Sequence, residues 1–255
     1  MEITSDNSNE FLKNSLKKYA EYSKSKEHGE KEGYKWEFIN KHKGVFDNFD
    51  DLSKKLDSLG SQNFFPHIWK TSVFRFLSQN HEKEFKEALG ILFNEDLSLD
   101  ERIVGFIEKL NPLLEKDSQW KSKAYKIDVD SASFFLFLKD PKRYFLYPVV
   151  KPFEKFGKLL YLQERHPDLF DSRRKVWRYI AWQKYCEEEV LPTLDDVLGR
   201  KADLLDAEDA MYCISRYFTE GYEIPKNSKR NKHSLISKEE EAERLKKLRE
   251  QGIKI

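Results

Sequence analysis

The residues best suited to chemistry lie in one window, 139–184, where cationic and aromatic side chains are interleaved. The window contains twelve Lys and Arg against five Asp and Glu, together with ten aromatic rings. Lys and Arg bind phosphates through charge and, for Arg, through forked hydrogen bonds, whereas exposed rings stack on unpaired bases. The window therefore predicts contact with a nucleic acid, while the aromatic run 134–137 just before it is assigned to the core.

Two short segments of this window, 143–147 and 173–182, carry the predicted contacts. In the second segment Arg174 and Arg178 are four residues apart, so a helix would place them on one face. The open alternative is structural: Trp177 and its apolar neighbours form core, and the arginines only cover it. The predicted DNA-binding residues, basic ones for phosphates and aromatic ones for a base or sugar, are Arg143, Tyr144, Tyr147, Arg173, Arg174, Lys175, Arg178 and Trp182.

No catalytic signature accompanies these residues. A phosphate-binding loop is missing, because the Gly157–Lys158 pair lacks the upstream glycine and the following Ser or Thr. The six His and two Cys show no metal-binding spacing. Glu84 and Lys86 have the E-x-K letters of a nuclease but lie on a predicted helix. The sequence predicts a protein that is not an enzyme and has no cofactor or metal ligand, with a metal-dependent nuclease as an alternative.

Helical periodicity dominates the rest of the chain. A loop is predicted at 27–33, a short strand at 143–148, and a capping box at Ser98 and Glu101 that opens a helix. A buried helix is expected to begin at Asp130 or Ser131 and to end before Pro141, and the last core helix to be capped by Asp206. The other predicted helices cover 9–26, 49–59, 82–93, 151–162, 172–190, 193–199 and 206–220, with two more starting near Tyr34 and Ile68.

The fold class predicted from these patterns is mainly α. Ten Gly and eight Pro are too few for a turn-rich β protein. We expect a disordered N-terminus over 1–8, one helical recognition domain over 9–225 with at most a short β element, and a basic linker with a solvated charged helix over 226–255.

Charge is unevenly distributed along the chain. Residues 226–255 carry ten basic and five acidic residues, whereas 1–225 carry 36 basic and 40 acidic residues. A polyanion site in the body must therefore be a local patch. No secretory signal, membrane-spanning run or disulfide framework is present in the sequence, which predicts a cytoplasmic protein without a membrane partner.

Several segments together resemble a known family. They are the helix around Trp36, the NFFP motif at 63–66, the run 92–106, SASFFLFLKDPKRYFLYP at 131–148, and LLDAEDAMYCI at 204–214. Their order is similar to the N-terminal region that precedes the motor in McrB-type AAA+ restriction proteins and related prokaryotic defence proteins. The likeness covers about 34–220 and does not extend to a motor domain.

The resemblance implies a non-catalytic DNA-recognition module of a restriction or anti-phage defence system. Such a module would bind DNA, including DNA with a modified base, and deliver a partner AAA+ motor or nuclease subunit to it. The family motif assigns no binding residues, so the predicted contacts above depend on charge and rings alone. The alternative is a protein-interaction adaptor or scaffold subunit of a defence complex that makes no direct DNA contact.

Overall fold

A computed structural model describes residues 8–59, 68–122, 125–147, 150–171 and 175–219. The expectation of a mainly α protein is confirmed. Across these ranges no strand occurs, and no helix has the length and apolar character needed to cross a membrane. The predicted N-terminal segment up to residue 7 and the predicted tail at 226–255 lie outside the described residues.

The described ranges contain α-helices and two shorter helical turns. A 3-10 turn at Pro167–Phe170 precedes α11, and a π-helical turn at Cys186–Val190 joins α11 to α12. The helices are α1 (Ser8–Tyr22), α2 (Lys26–Glu32), α3 (Tyr34–His42), α4 (Leu52–Leu59), α5 (Ile68–Asn80), α6 (Glu82–Phe93), α7 (Leu99–Glu115), α8 (Val129–Lys139), α9 (Val150–Leu159), α10 (Leu162–Arg165), α11 (Lys175–Tyr185), α12 (Leu191–Leu198) and α13 (Leu204–Tyr217).

Helix starts depend on local hydrogen bonds that the structure shows directly. At the start of α7 the Glu101 carboxylate accepts from the Ser98 backbone N–H, as the predicted capping box requires, and it also accepts from the Ser98 hydroxyl. Two other predicted caps were wrong by a few residues. Asp128, not Asp130 or Ser131, caps α8, and Asp203, not Asp206, caps α13. In each case the acidic residue with extended backbone takes the cap.

Two predicted non-helical segments also differ from the structure. The loop expected at 27–33 is mostly helix α2, capped by Ser25, whose side chain accepts from the His28 N–H at 3.1 Å. The segment 143–147, expected as a strand, is neither strand nor helix. Its buried Phe145 carbonyl accepts from the Tyr179 hydroxyl at 2.9 Å, so a side chain satisfies a group that a strand would pair.

The chain divides into two compact units. Within the described ranges, unit 1 comprises 8–41 and 141–219, and unit 2 comprises 42–140. The single helical domain predicted over 9–225 thus spans residues of both units.

Unit 2 is organised around α8, whose residues 131–138 are all buried. The ring of Phe135 lies at its centre, 4.8 Å from the ring of Phe74 and 5.4 Å from that of Phe46. Further rings surround it at 5.7–5.9 Å, namely Phe85, Phe106 and Phe134. The aromatic run of the sequence is therefore core, as predicted.

Unit 1 packs α1, α9, α11, α12 and α13 together with the segment 141–147. Trp182 of α11 is fully buried, and its ring lies 5.9 Å from those of Phe153 and Tyr185. Gly157 of α9 permits this packing, because a Cβ there would lie 2.6 Å from Phe170 Cζ. Trp182, one of the predicted contact residues, is therefore part of the core of unit 1.

Candidate functional site

The segment 141–147 runs antiparallel to α11, which brings the two predicted contact segments together. At one end Gln183 Nε2 donates to the Arg143 carbonyl at 3.1 Å. At the other end the Arg178 guanidinium lies 5.9 Å from the centre of the Tyr147 ring. These contacts, between residues about 30 to 40 apart in sequence, place the segment 143–147 beside the described part of α11 in unit 1.

The three aromatic residues predicted to contact a base or sugar are buried. Tyr144, Tyr147 and Trp182 are 4%, 2% and 0% exposed. The Trp182 indole donates to the Leu169 carbonyl at 3.0 Å, and the Tyr147 ring packs at 5.8 Å against that of Tyr179. Without a free face none of these rings can stack on a base in this conformation, so that part of the site prediction is corrected to a packing role.

Arg178 is also buried. Only 5% of the residue is exposed, and its Nη2 lies 2.7 Å from Glu154 Oε1. A buried guanidinium needs such a carboxylate, because an unpaired buried charge is costly. The ion pair fixes α11 to α9, and Arg178 is a packing residue rather than a phosphate contact.

Arg143 and Lys175 are the two predicted cations that the structure places at the surface. The Arg143 guanidinium lies 5.6 Å from the centre of the Tyr144 ring. Lys175 is the first residue of α11 and makes no ion pair with a described residue. Arg173 and Arg174 lie outside the described residues. Lys142, next to Arg143, is exposed as well.

A second cationic surface lies along α1 in the same unit. Lys13, Lys17 and Lys24 line an open depression of about 470 Å³ between α1 and α12, together with Glu21 and Asp196. None of the three lysines makes an ion pair with a described residue. Exposed basic residues of unit 1 are therefore found outside 139–184 as well.

A third group of polar residues in unit 1 was missed by the sequence analysis, and it is buried. Asp209 of α13 lies at its centre. Its Oδ1 accepts from Lys35 Nζ at 2.7 Å, and its Oδ2 lies 2.7 Å from His28 Nε2 and accepts from the Tyr19 hydroxyl at 2.9 Å. None of these four residues is more than 6% exposed.

The Lys35 ammonium forms ion pairs with three carboxylates of this group. Its Nζ lies 2.7 Å from Asp209 and 3.2 Å from each of Glu32 and Glu208. Burial disfavours the ammonium, but the attraction of Glu208, Asp209 and Glu32 outweighs it and raises the pKa of Lys35 well above its usual range. Glu32 also accepts from the Tyr217 hydroxyl at 2.9 Å. The buried ions therefore tie α2, α3 and α13 together.

The pKa values of two of these acidic groups are shifted in opposite directions. Burial raises the pKa of Glu208. It also opposes ionisation of Asp209, yet the hydrogen bond from His28 and the charge of Lys35 prevail and lower the pKa of Asp209. Burial, and then the Asp209 charge, raises the pKa of the Cys213 thiol and of the Tyr19 hydroxyl. The net shift is therefore downward for the pKa of Asp209 and upward for the pKa of Glu208.

Within this group, three residues have metal-binding side chains. His28, Asp209 and Cys213 are all buried, and one ligand atom from each lies within 4.8 Å of the other two. Asp209 and Cys213 are one helical turn apart on α13, but His28 is 181 residues from Asp209. A search for ligand spacing along the sequence could not find a set whose members meet only in the folded chain.

No protein-family model, curated protein or solved structure matches this chain.

Proposed function

We propose that this protein is a non-catalytic DNA-recognition module of a prokaryotic restriction or anti-phage defence system. It binds the sugar-phosphate backbone through exposed cations of unit 1 and delivers a partner AAA+ motor or nuclease to DNA in the cytoplasm. The observation that carries the proposal is the exposure of Lys142, Arg143 and Lys175 along α11 and the segment beside it.

The spacing of these cations suits a nucleic-acid strand. Arg143 lies beside Gln183, eight residues along α11 from Lys175. Eight residues of helix span about 12 Å. One strand of B-DNA advances about 3.4 Å per nucleotide, so the two positions correspond to roughly three or four nucleotides.

Because the rings are buried, we propose binding to the DNA backbone rather than to the bases. Phosphate contacts fix position and supply affinity but carry no sequence information. With Tyr144, Tyr147 and Trp182 packed inside, these residues contribute no base contact. The described surface therefore supports backbone binding with strong salt dependence, and the α1 lysines offer a second place for phosphates.

A double substitution tests the proposal. Replacing Arg143 and Lys175 with Gln should weaken duplex binding at all sequences alike. The plot of log K against log salt should become shallower by about 1.8, since each phosphate contact contributes about 0.9. Fluorescence anisotropy titrations at several salt concentrations measure both quantities.

The matched control is a double substitution of Lys83 and Lys116 with Gln. Both lysines are exposed residues of unit 2, and the change in net charge is the same. The control should keep the wild-type slope. The proposal fails if the wild-type chain binds neither duplex nor single-stranded DNA at low salt, or if the control lowers the slope as much as the test variant does.

A second candidate function is a protein-interaction adaptor within a defence complex, without direct DNA contact. The burial of three predicted contact rings and the pairing of Arg178 with Glu154 favour it. Stable co-elution of the chain with a motor or nuclease subunit, together with no detectable binding to DNA, would favour the adaptor function over DNA recognition.

A further inference from the structure

The buried group around Asp209 offers three ligands of the kinds that zinc prefers. Zinc binds imidazole nitrogen, thiolate sulfur and carboxylate oxygen, and four-coordinate structural sites are enclosed by protein. His28 Nε2, Asp209 Oδ2 and Cys213 Sγ supply one of each, and their residues are 6%, 0% and 0% exposed. Calcium and magnesium prefer sites built from oxygen alone, so a thiol and an imidazole favour zinc.

The distances between these atoms are close to those of a zinc site. Metal–ligand bonds of about 2.0–2.3 Å place tetrahedral ligand atoms roughly 3.3–3.7 Å apart. The Asp209 Oδ2 atom is 2.7 Å from His28 Nε2 and 4.0 Å from Cys213 Sγ, so the observed separations lie on either side of that range. His28 Nε2 and Cys213 Sγ lie within 4.8 Å of each other, so shifts of about 1 Å would bring all three atoms into range.

The surrounding residues hold the ligands in place. Lys35 bonds the other oxygen of Asp209, which leaves Oδ2 directed at His28, and metal-binding carboxylates typically have such a partner. Ser25 caps α2 by accepting from the His28 N–H, which fixes the turn that carries the imidazole. The Tyr19 hydroxyl, 2.9 Å from Asp209 Oδ2, provides a further oxygen beside the site.

We propose that His28, Asp209 and Cys213 bind one structural zinc ion in unit 1. The ion would connect α2 to α13, which supply its ligands. As the Zn–S bond forms, the proton of the Cys213 thiol is released to solvent. The proton between His28 Nε2 and Asp209 moves to Nδ1 of the imidazole, so that neutral His28 binds zinc through Nε2 and Asp209 binds it as a carboxylate. Burial of the ligands makes the site structural rather than catalytic, and its existence does not depend on DNA binding.

The metal content of the wild-type chain gives the first test. The chain is stripped with a chelator, reconstituted with zinc chloride and desalted, and its zinc is measured by mass spectrometry. We expect one zinc per chain and a melting temperature higher than that of the stripped protein. Reconstitution with cobalt chloride should give a thiolate-to-cobalt charge-transfer band, which reports the sulfur ligand directly.

The two buried cysteines provide a matched pair of variants. Cys213→Ala should lose the charge-transfer band and the bound zinc, whereas Cys186→Ala, which removes a buried thiol outside the ligand set, should keep both. His28→Gln should lose the zinc as well. Circular dichroism of each variant shows whether it has folded.

The zinc content and the cobalt spectrum of the wild-type chain test the proposal even if a variant does not fold. A folded wild-type chain that holds no zinc after reconstitution, or cobalt binding without a thiolate band, would overturn the proposal. So would a band that survives Cys213→Ala and disappears in Cys186→Ala. Any of these three results would leave His28, Asp209 and Cys213 as members of a hydrogen-bonded network alone.

Discussion

Arg178 shows how burial changes what a cationic side chain can do. Its position in the sequence, four residues after Arg174 in a basic segment, predicts a phosphate contact. In the structure the Arg178 guanidinium forms an ion pair with the Glu154 carboxylate, which is 24 residues away in sequence. Helical spacing indicates which residues share a face, but the direction of that face depends on packing that local sequence does not contain. Trp182 was predicted at the surface for the same reason.

The Arg178–Glu154 pair leads to a stability prediction. Glu154→Ala should lower the free energy of unfolding by about 1–2 kcal/mol, because the guanidinium stays buried without its carboxylate and the partial exposure of Glu154 keeps the cost modest. Arg178→Met removes the charge together with its need for a partner, so it should cost less. Urea denaturation of both variants measures the difference.

A larger loss for Arg178→Met than for Glu154→Ala would contradict this account of the pair. Arg178→Met should also leave the salt dependence of DNA binding unchanged, because the side chain is only 5% exposed. A shallower salt slope in that variant would restore Arg178 as a phosphate contact.

At the scale of elements, apolar periodicity predicted most of the helices. The predicted helix 82–93 coincides with α6, and the capping box fixed the start of α7. Helix α2 was missed for a physical reason. Its buried residues are His28 and Glu32, so the inward face is polar and the apolar stripe that signals a helix is missing. The same polar face carries the candidate metal ligand.

The cap of α13 gives a prediction at this scale. Asp203 accepts from the backbone N–H groups of Leu205 and Asp206, both at 3.1 Å, and α13 carries Asp209 and Cys213. Asp203→Ala should therefore cost about 1 kcal/mol of unfolding free energy, whereas Asp203→Asn should cost little, because Asn caps almost as well. Thermal and urea unfolding compare the two variants. Equal losses would show that the charge of Asp203, rather than its capping bonds, is what stabilises α13.

At the scale of the whole molecule, net charge is a poor guide to surface charge. Glu32, Lys35, Glu208 and Asp209 are counted in the acidic balance of 1–225 although all four are buried. The buried group contains three acidic residues and one lysine. A count of surface residues alone therefore contains three fewer acidic residues and one fewer basic residue than the sequence count. The surface of unit 1 is therefore less acidic than its sequence suggests, which is consistent with the proposed binding of a polyanion.

Two buried phenylalanines, one in each compact unit, test whether each unit has its own core. Phe135 lies among five other rings of unit 2, and Phe153 packs against Phe145 and Trp182 in unit 1. Either residue changed to Ala should cost about 3–5 kcal/mol, since the lost contacts leave a cavity. Hydrogen exchange followed by mass spectrometry should show faster exchange across 42–140 for Phe135→Ala, and across 8–41 and 141–219 for Phe153→Ala. Each variant is the control for the other. Equal loss of protection in both units from either substitution would mean that the chain unfolds as one cooperative core.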